Sequence, residues 1–190
     1  MNLKLCLAAA ALTAAPMILS AQEPSAAPPA NPISSSEKGF YGLISGEVIA
    51  AAQKVPEEDY SFKPTPEVRS FGQLVGHVAD AQYFFCSSAS GQPNPSKGIE
   101  KTKTTKADLV AALKEAVAYC TEAYSGMTDA QGAQTMKFMN FNLAKLTVLS
   151  INTGHMYEHY GNMVTYMRLK GIVPPSSESR PPAPQGQGQK

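Results

Sequence analysis

Histidine is the residue type in this sequence whose spacing points most directly to chemistry. The 190 residues contain three histidines, His77, His155 and His159. His155 and His159 are four residues apart, so on a helix with ~100° per residue they project from one face. Three neutral imidazoles can hold a divalent metal ion and leave one position open for water or substrate, as catalytic sites do. The three histidines are therefore the candidate metal ligands.

Two other interpretations of the histidines stay open. A buried histidine is more often a hydrogen-bonded structural residue, and an H-x-x-x-H pair arises easily by chance. The string from His155 to His159 also matches H-x-x-E-H, in which Glu158 would be the general base of a zinc protease. Such a protease needs a further acidic ligand downstream, and only Glu178 remains there. An ordinary helix glutamate is therefore the favoured interpretation of Glu158.

Two carboxylates near the histidines are the candidate catalytic residues. Glu158 is one of them, and Asp80 is the other. Asp80 lies one turn beyond His77 and is a candidate acceptor for the free N–H of a metal-bound imidazole. Four further side chains are candidates for the lining of the pocket, although aromatic residues at helical spacing are usually core: Tyr157, Tyr160, Asn162 and Tyr166.

Helices are predicted to position these side chains, with little sign of strands. Residues 34–37 have the S-x-x-E spacing of a capping box, and apolar residues then repeat at helical period, which predicts helix one over about 36–53. Residues 70–73 form a second capping box, which predicts helix two from Ser70 to about Ser88. That helix is apolar nearly all round and should be buried.

A Gly/Pro-rich segment over 91–104 is long enough to cross the bundle and to lead into helix three. Thr105 is the predicted N-cap of that helix. Helix four should run from about Asn142 to Lys170, where Gly171 provides a stop. Between helices three and four, one end of the core is expected to be covered by Met136, Phe138, Met139 and Phe141. The predicted fold class is an all-α four-helix bundle.

The two ends of the chain lie outside this bundle. Residues 1–21 have a basic start, a short Ala/Leu-rich run and small residues at the cut, which predicts a signal peptide and export. Residues 22–34 are predicted to be a disordered leader, and 177–190 a disordered Pro/Gln/Gly tail. The bundle itself is predicted to occupy residues 35–176.

The charge balance argues against a nucleic-acid-binding protein. Removal of the signal takes away Lys4 and leaves 15 basic residues against 15 acidic ones. A nucleic-acid surface needs a clustered basic face, and the lysines from 97 to 106 are interrupted by Gly98 and Glu100. No window has the roughly 20 apolar residues needed to span a bilayer, so no stable membrane span is expected after signal removal.

Two stretches of the sequence resemble the DinB-like (DinB/YfiT) family. The first is YSFKPTPEVRSFGQLVGHVAD at residues 60–80, and the second is GHMYEHYGNMVTYMRLKGIVPP at residues 154–175. The resemblance implies a four-helix bundle with a long crossover between helices two and three. It also implies a metal site at His77, His155 and His159. Characterised relatives include thiol-dependent S-transferases, so it implies a small-molecule substrate that could be a thiol.

Cys86 and Cys120 remain after removal of the signal peptide. An exported protein meets an oxidising environment, in which two cysteines can form a disulfide. Both lie near the C-terminal ends of their helices, so they can meet if helices two and three are parallel, as the resemblance suggests. In an antiparallel arrangement they remain two buried thiols.

Two functions from different classes follow from these residues. The first is an exported metal-dependent transferase or hydrolase that activates a thiol or water, with Zn²⁺ the expected ion and Ni, Fe or Mn the alternatives. The second is a non-catalytic protein that binds metal or a small ligand with the same bundle. Bundles of this kind often dimerise, but no surface of the sequence can be assigned to a homodimer.

Overall fold

The computed structural model describes residues 30–178, and within them the chain forms a four-helix bundle, which confirms the predicted fold class. The long helices are α1 (Pro32–Lys54), α2 (Phe71–Ser90), α4 (Lys106–Ser125) and α6 (Lys145–Leu169). The shorter elements are the one-turn helices α3 (Ile99–Thr102) and α5 (Asp129–Gly132) and the strands β1 (Thr135–Phe138) and β2 (Phe141–Ala144). Within these residues no helix is long and apolar enough to cross a membrane.

Parts of the predicted terminal segments are not described. The predicted signal peptide at 1–21, residues 22–29 of the predicted leader and residues 179–190 of the predicted tail lie outside the described residues. The first residues of the tail contact the bundle, because Arg168 donates to the Ser177 hydroxyl at 3.3 Å and Lys54 pairs with Glu178.

The predicted ends of the long helices are largely confirmed by their hydrogen bonds. The Ser70 hydroxyl accepts from the backbone N–H of Gln73 at 3.2 Å, and the Gln73 side chain accepts from the Ser70 N–H at 2.9 Å. Thr105 accepts from the Asp108 N–H at 3.1 Å and so starts α4. Gly171 follows α6 with a φ of 71°, a left-handed conformation that glycine adopts without steric cost.

The start of α1 differs from the prediction. The helix begins at Pro32 rather than near Ser36, and Ser34 lies buried inside the first turn. The predicted capping box at Ser34 is therefore wrong, and the last residues of the predicted leader are helical. The Asp129 carboxylate instead accepts hydrogen bonds from two N–H groups of the first turn, at 2.8 and 3.2 Å. A cap that is supplied by the first residue of α5 has no local sequence signal.

The long crossover makes α2 and α4 parallel. Leu109 at the start of α4 lies against Gly72 and Gly76 at the start of α2, while Cys86 and Cys120 meet near the ends of both helices in a disulfide bond. Their Cα atoms are 5.3 Å apart. Helix α6 runs in the opposite direction beside α2, so the middle of α6 faces the middle of α2. This antiparallel pair carries all three histidines.

Apolar side chains from all four long helices fill the centre of the bundle. The largest fully buried ones are Tyr41, Ile44, Phe71, Leu109, Leu113, Leu149, Met156, Met163 and Met167. Three of the methionines lie on α6, where their flexible side chains fit between the other helices.

Residues 135–144 form a short β-hairpin, although the sequence patterns indicated few strands. β1 pairs antiparallel with β2, with Phe138 opposite Phe141, and Met139 in the turn has a φ of 52°. Helix α6 therefore starts at Lys145 rather than at Asn142. Phe138 is buried as predicted, but Met139 and Phe141 are 67% and 64% exposed, so their predicted place over the core is wrong. The strands are four residues long, too short for a clear alternating pattern.

Candidate metal centre

The three histidine side chains converge at the contact between α2 and α6. His155 and His159 lie one turn apart on α6, and His77 projects towards them from α2. The Nε2 atom of His155 is 3.2 Å from Nε2 of His77 and 2.9 Å from Nε2 of His159. Ligand atoms of the three residues all lie within 4.8 Å of one another. The predicted grouping of the histidines is therefore present.

Hydrogen bonding alone does not satisfy this arrangement. Each imidazole nitrogen has one position in the ring plane, which holds either a proton or a lone pair. Nε2 of His155 faces two other Nε2 atoms and can share a proton with one of them only. Metal–nitrogen bonds of about 2.0–2.1 Å place two ligand nitrogens roughly 3 Å apart, which is close to both observed distances. The donor set thus fits a divalent ion.

The surroundings keep the imidazoles neutral, as ligands must be. Burial, followed by the neighbouring histidines, lowers the pKa of His155 to about 4. Burial, followed by the charges of His77 and Arg69, lowers the pKa of His159 to about 4. The pKa of His77 is also lowered, by burial and then by Arg69, although Glu100 opposes this shift. At pH 7 the three lone pairs are available to a metal.

The second ring nitrogens of the three histidines have different partners. Nδ1 of His77 lies 3.3 Å from a carboxylate oxygen of Glu100. Nδ1 of His159 is 3.4 Å from the side-chain amide of Asn162. Nδ1 of His155 is buried and has no hydrogen-bond partner among the described residues, while its ring lies 5.5 Å from that of Phe85.

A cavity opens beside His159. It has a volume of about 750 Å³ and lies between α6, the start of α2 and the segment that precedes α2. Polar and charged side chains dominate its lining: Lys63, Thr65, Glu67, Arg69, Gln73, Glu100, Glu158, Asn162, Thr165 and Tyr166. A solute that reaches the histidines from this side meets both signs of charge. The cavity beside His159 is therefore polar in character.

An aromatic group occupies another side of the histidines. The ring of Phe138 from the hairpin lies 5.4 Å from Phe84 and 5.7 Å from Phe85, and Phe85 in turn approaches His155. Phe84 remains 42% exposed. Phe138 of the hairpin thus packs on two rings of α2, and one of these rings, that of Phe85, lies beside His155.

The family model of the DinB superfamily matches residues 46–170, well over half of the chain and a range that includes all three histidines. The chain belongs to the DinB superfamily. This finding confirms the resemblance seen in residues 60–80 and 154–175. No curated protein matches the chain.

Two solved structures of DinB-like proteins are similar to this DinB superfamily member. The protein from Bacillus cereus is 16% identical, with a TM-score of 0.67 over 74% of this chain and 95% of that one. The protein from Bacillus subtilis is 19% identical, with a TM-score of 0.61 over 73% of this chain and 93% of that one. At identities of 16% and 19%, the similarity to these two structures supports the fold alone.

The predicted carboxylates of this DinB superfamily member occupy different surroundings. The Asp80 carboxylate accepts from the Ser96 hydroxyl and from the backbone N–H groups of Ile99 and Glu100, at 2.8 and 3.0 Å. Asp80 therefore anchors the crossover, whereas the carboxylate that lies next to Nδ1 of His77 belongs to Glu100. The predicted acceptor role of Asp80 is corrected accordingly. Glu158 is exposed and lines the cavity beside His159. Catalytic roles for Glu158 and Asp80 stay predictions.

The other predicted lining residues divide into two groups. Asn162 and Tyr166 line the cavity, and the Tyr166 hydroxyl donates to the backbone carbonyl of Arg69 at 2.9 Å. Tyr160 donates instead to Glu47 on α1, and Tyr157 is 45% exposed without lining the cavity. Arg69 and Glu100 were missed because Arg69 lies in an irregular segment and Glu100 in a one-turn helix, and neither is long enough to show a periodic pattern.

Proposed function

We propose that this DinB superfamily member binds one divalent metal ion through His77, His155 and His159 and uses it in a transferase or hydrolase reaction on a small molecule. The observation that carries the proposal is the convergence of the histidine Nε2 atoms, at 2.9 and 3.2 Å, in an arrangement that hydrogen bonds cannot satisfy. Zn²⁺ is the expected ion, with Ni²⁺, Fe²⁺ and Mn²⁺ as alternatives. When bound, it supplies Lewis acidity that lowers the pKa of a thiol or water molecule towards ~7.

The protein side chains then bind and orient the substrate. Lys63 and Arg69 supply positive charge to the cavity, and Asn162 and Thr165 supply neutral hydrogen-bonding groups on α6. Because Glu67, Glu100 and Glu158 also line the cavity, a polar substrate suits this lining better than an apolar one. Glu158 lies on the same cavity wall next to His159 and is the candidate general base.

Export bears on the choice of the second reactant. We propose that the N-terminal residues act as a signal peptide, and the Cys86–Cys120 disulfide is of the kind found in oxidising compartments. The low-molecular-weight thiols used by S-transferases are cytosolic pools. Water is therefore the favoured reactant for an exported form, and a thiol is the favoured reactant if the protein is retained.

A non-catalytic binding protein is the second candidate. Asp80 is fully engaged in holding the crossover, and Glu158 is exposed and makes no hydrogen bond to a histidine within residues 30–178. A site without a positioned base suits storage or sensing of a metal, or binding of a small ligand, as well as it suits catalysis.

The first test is the metal content of the mature protein, purified without chelator or affinity tag. We expect about one ion per chain by elemental analysis in the wild type and none in His159→Ala. Tyr157→Ala, which removes an exposed side chain between the two histidines of α6, is the matched control and should keep its ion. Absence of metal from the wild type after incubation with zinc, nickel, iron and manganese would defeat the proposal.

The second test separates the two candidates. Zinc-loaded wild type is assayed for hydrolysis of esters and amides and for thiol transfer, beside His159→Ala and Glu158→Gln. Turnover that is lost in His159→Ala and reduced about 10²–10⁴-fold in Glu158→Gln supports an enzyme with Glu158 as base. A metal-loaded protein without turnover supports the binding protein.

A further inference from the structure

The crossover between α2 and α4 brings one carboxylate to the histidine cluster. Glu100 lies in the one-turn helix α3, 23 residues beyond His77 in the sequence. One of its carboxylate oxygens is 3.3 Å from Nδ1 of His77, and the other accepts a hydrogen bond from Nε of Arg69 at 2.9 Å. Glu100 thus lies between a candidate metal ligand, His77, and a cation that lines the cavity, Arg69.

Two residues of α2 hold Glu100 in this position. Asp80 binds the backbone N–H groups of Ile99 and Glu100, so the first turn of α3 is fixed to α2. Gly76, next to His77, lets the two backbones touch. A Cβ atom at residue 76 would lie 2.7 Å from Cα and 3.0 Å from N of Glu100. Any other residue at position 76 would push α3, and with it Glu100, away from His77.

We propose that Glu100 is a positioning residue of the metal centre, which fixes the ring of His77 and strengthens it as a ligand, and that Asp80 and Gly76 place it there. This inference rests on the proposed metal binding. When Nε2 of an imidazole faces a metal, Nδ1 carries the proton, and a carboxylate at Nδ1 sets the ring orientation and raises the donor strength of Nε2. Among the three histidines only His77 has a carboxylate at Nδ1 within the described residues.

If Glu100 had a purely structural role, its removal would instead change the stability of the fold. The ion pair of Glu100 with Arg69 is partly exposed, with side-chain exposures of 24% and 43%, and such pairs contribute little to stability. Loss of Glu100 should therefore leave the fold intact and change the metal centre. Removal of a carboxylate at this position of a metal ligand typically weakens metal affinity 10–100-fold.

The experiment measures Zn²⁺ affinity by competition with a chromogenic chelator, using the mature protein. We expect Glu100→Ala to bind Zn²⁺ about 10–100-fold more weakly than the wild type, and Glu100→Gln, which keeps an acceptor without the charge, to lie between them. Glu67→Gln removes another carboxylate of the same cavity and is the matched control for long-range charge, so its affinity should stay within about twofold. The visible spectrum of the Co²⁺-loaded protein should change in both Glu100 variants and not in Glu67→Gln.

A second pair of variants tests the placement of Glu100. Gly76→Ala should weaken Zn²⁺ binding about as much as Glu100→Ala, because it displaces α3. Gly42→Ala, at an exposed helical glycine with open space around it, should leave affinity unchanged. An unchanged affinity and Co²⁺ spectrum in Glu100→Ala, with metal still lost in His159→Ala, would overturn the role of Glu100 alone. Failure of the wild type to bind any of Zn²⁺, Ni²⁺, Fe²⁺ and Mn²⁺ would overturn the metal site itself.

Discussion

Gln82 and Asn152 form two reciprocal hydrogen bonds in the centre of the bundle. The Gln82 amide nitrogen donates to Oδ1 of Asn152 at 3.0 Å, and the Asn152 amide nitrogen donates to Oε1 of Gln82 at 3.1 Å. Both side chains are completely buried. Tyr41 also donates to Gln82, and Asn152 also donates to Tyr124. The pair joins α2 to α6 about one turn from the histidines and fixes the register of the two helices.

Removal of one amide of this pair should destabilise the protein. Asn152→Leu has a similar volume but leaves the Gln82 amide without its partner, which costs about 1–3 kcal/mol for each buried unsatisfied group. The free energy of unfolding, measured by urea titration, should fall accordingly. The double variant Gln82→Met with Asn152→Leu removes both partners. Its loss of unfolding free energy should therefore be smaller than the sum of the losses in the two single variants. Strict additivity of the two changes would show that the amides do not interact.

The disulfide should contribute measurably to stability. Cys86 and Cys120 are 34 residues apart in the sequence, and closure of a loop of that length in the unfolded chain is worth about 3–4 kcal/mol in the chain-entropy model. Cys86→Ala with Cys120→Ala should lower the free energy of unfolding by up to this amount.

Reduction of the wild type provides the control for this prediction. Its intact mass should rise by two hydrogens on reduction, and its unfolding midpoint should fall towards that of the double variant. A reductant should leave the double variant unchanged. An unaltered mass on reduction would mean that the two residues are free thiols in the purified protein.

The parts of the fold that the sequence predicts well are those that depend on neighbouring residues. The capping box of Ser70 and Gln73, the cap at Thr105 and the stop at Gly171 each involve residues within one turn. The spacing of His155 and His159 follows directly from the period of a helix. Their meeting with His77 depends on packing, and the family resemblance supplied that information.

The parts that the sequence does not predict depend on contacts between distant segments. Glu100 stands in a Gly/Pro-rich stretch, and its place beside His77 results from the anchoring of the crossover by Asp80. The cap of α1 comes from Asp129, about 95 residues away. The hairpin segment shows no clear strand pattern in the sequence, because its strands are short and Phe141 faces outward. Local pattern carries no information on any of these contacts.

Gly171 should be sensitive to substitution, whereas another glycine of the same region should not. Gly171 has a φ of 71°, and the following N–H of Ile172 donates to the carbonyl of Met167 at 2.8 Å to close the end of α6. Gly171→Ala should lower the free energy of unfolding by about 1–2 kcal/mol because the left-handed conformation is strained for alanine. Gly161→Ala lies in the interior of α6 with open space around it and should raise stability by about 0.5–1 kcal/mol. Equal effects in urea titration would contradict this account of the helix end.

Two stacked tyrosines should contribute to a loss of stability at alkaline pH. The rings of Tyr41 and Tyr124 are 4.0 Å apart and nearly parallel, in the buried centre beside the amide pair. Burial raises the pKa of both phenols far above the usual 10.0, and for Tyr41 the charge that Tyr124 would carry raises it further. Their contribution to stability is therefore fully present below pH 10, and it is lost as the pH rises towards the folded-state pKa because the unfolded chain releases the protons first.

The measurement is the free energy of unfolding as a function of pH from neutral to strongly alkaline. The contribution of Tyr41 and Tyr124 to this free energy should stay constant up to about pH 10 and should fall steadily above it. Tyr41→Phe should be less stable at neutral pH, because the amide of Gln82 loses a donor, but should show a shallower alkaline slope. Tyr157→Phe removes a phenol at the surface and is the matched control, with the slope of the wild type expected. If Tyr41→Phe also kept that slope, the alkaline loss of stability would have to come from other groups than the stacked pair.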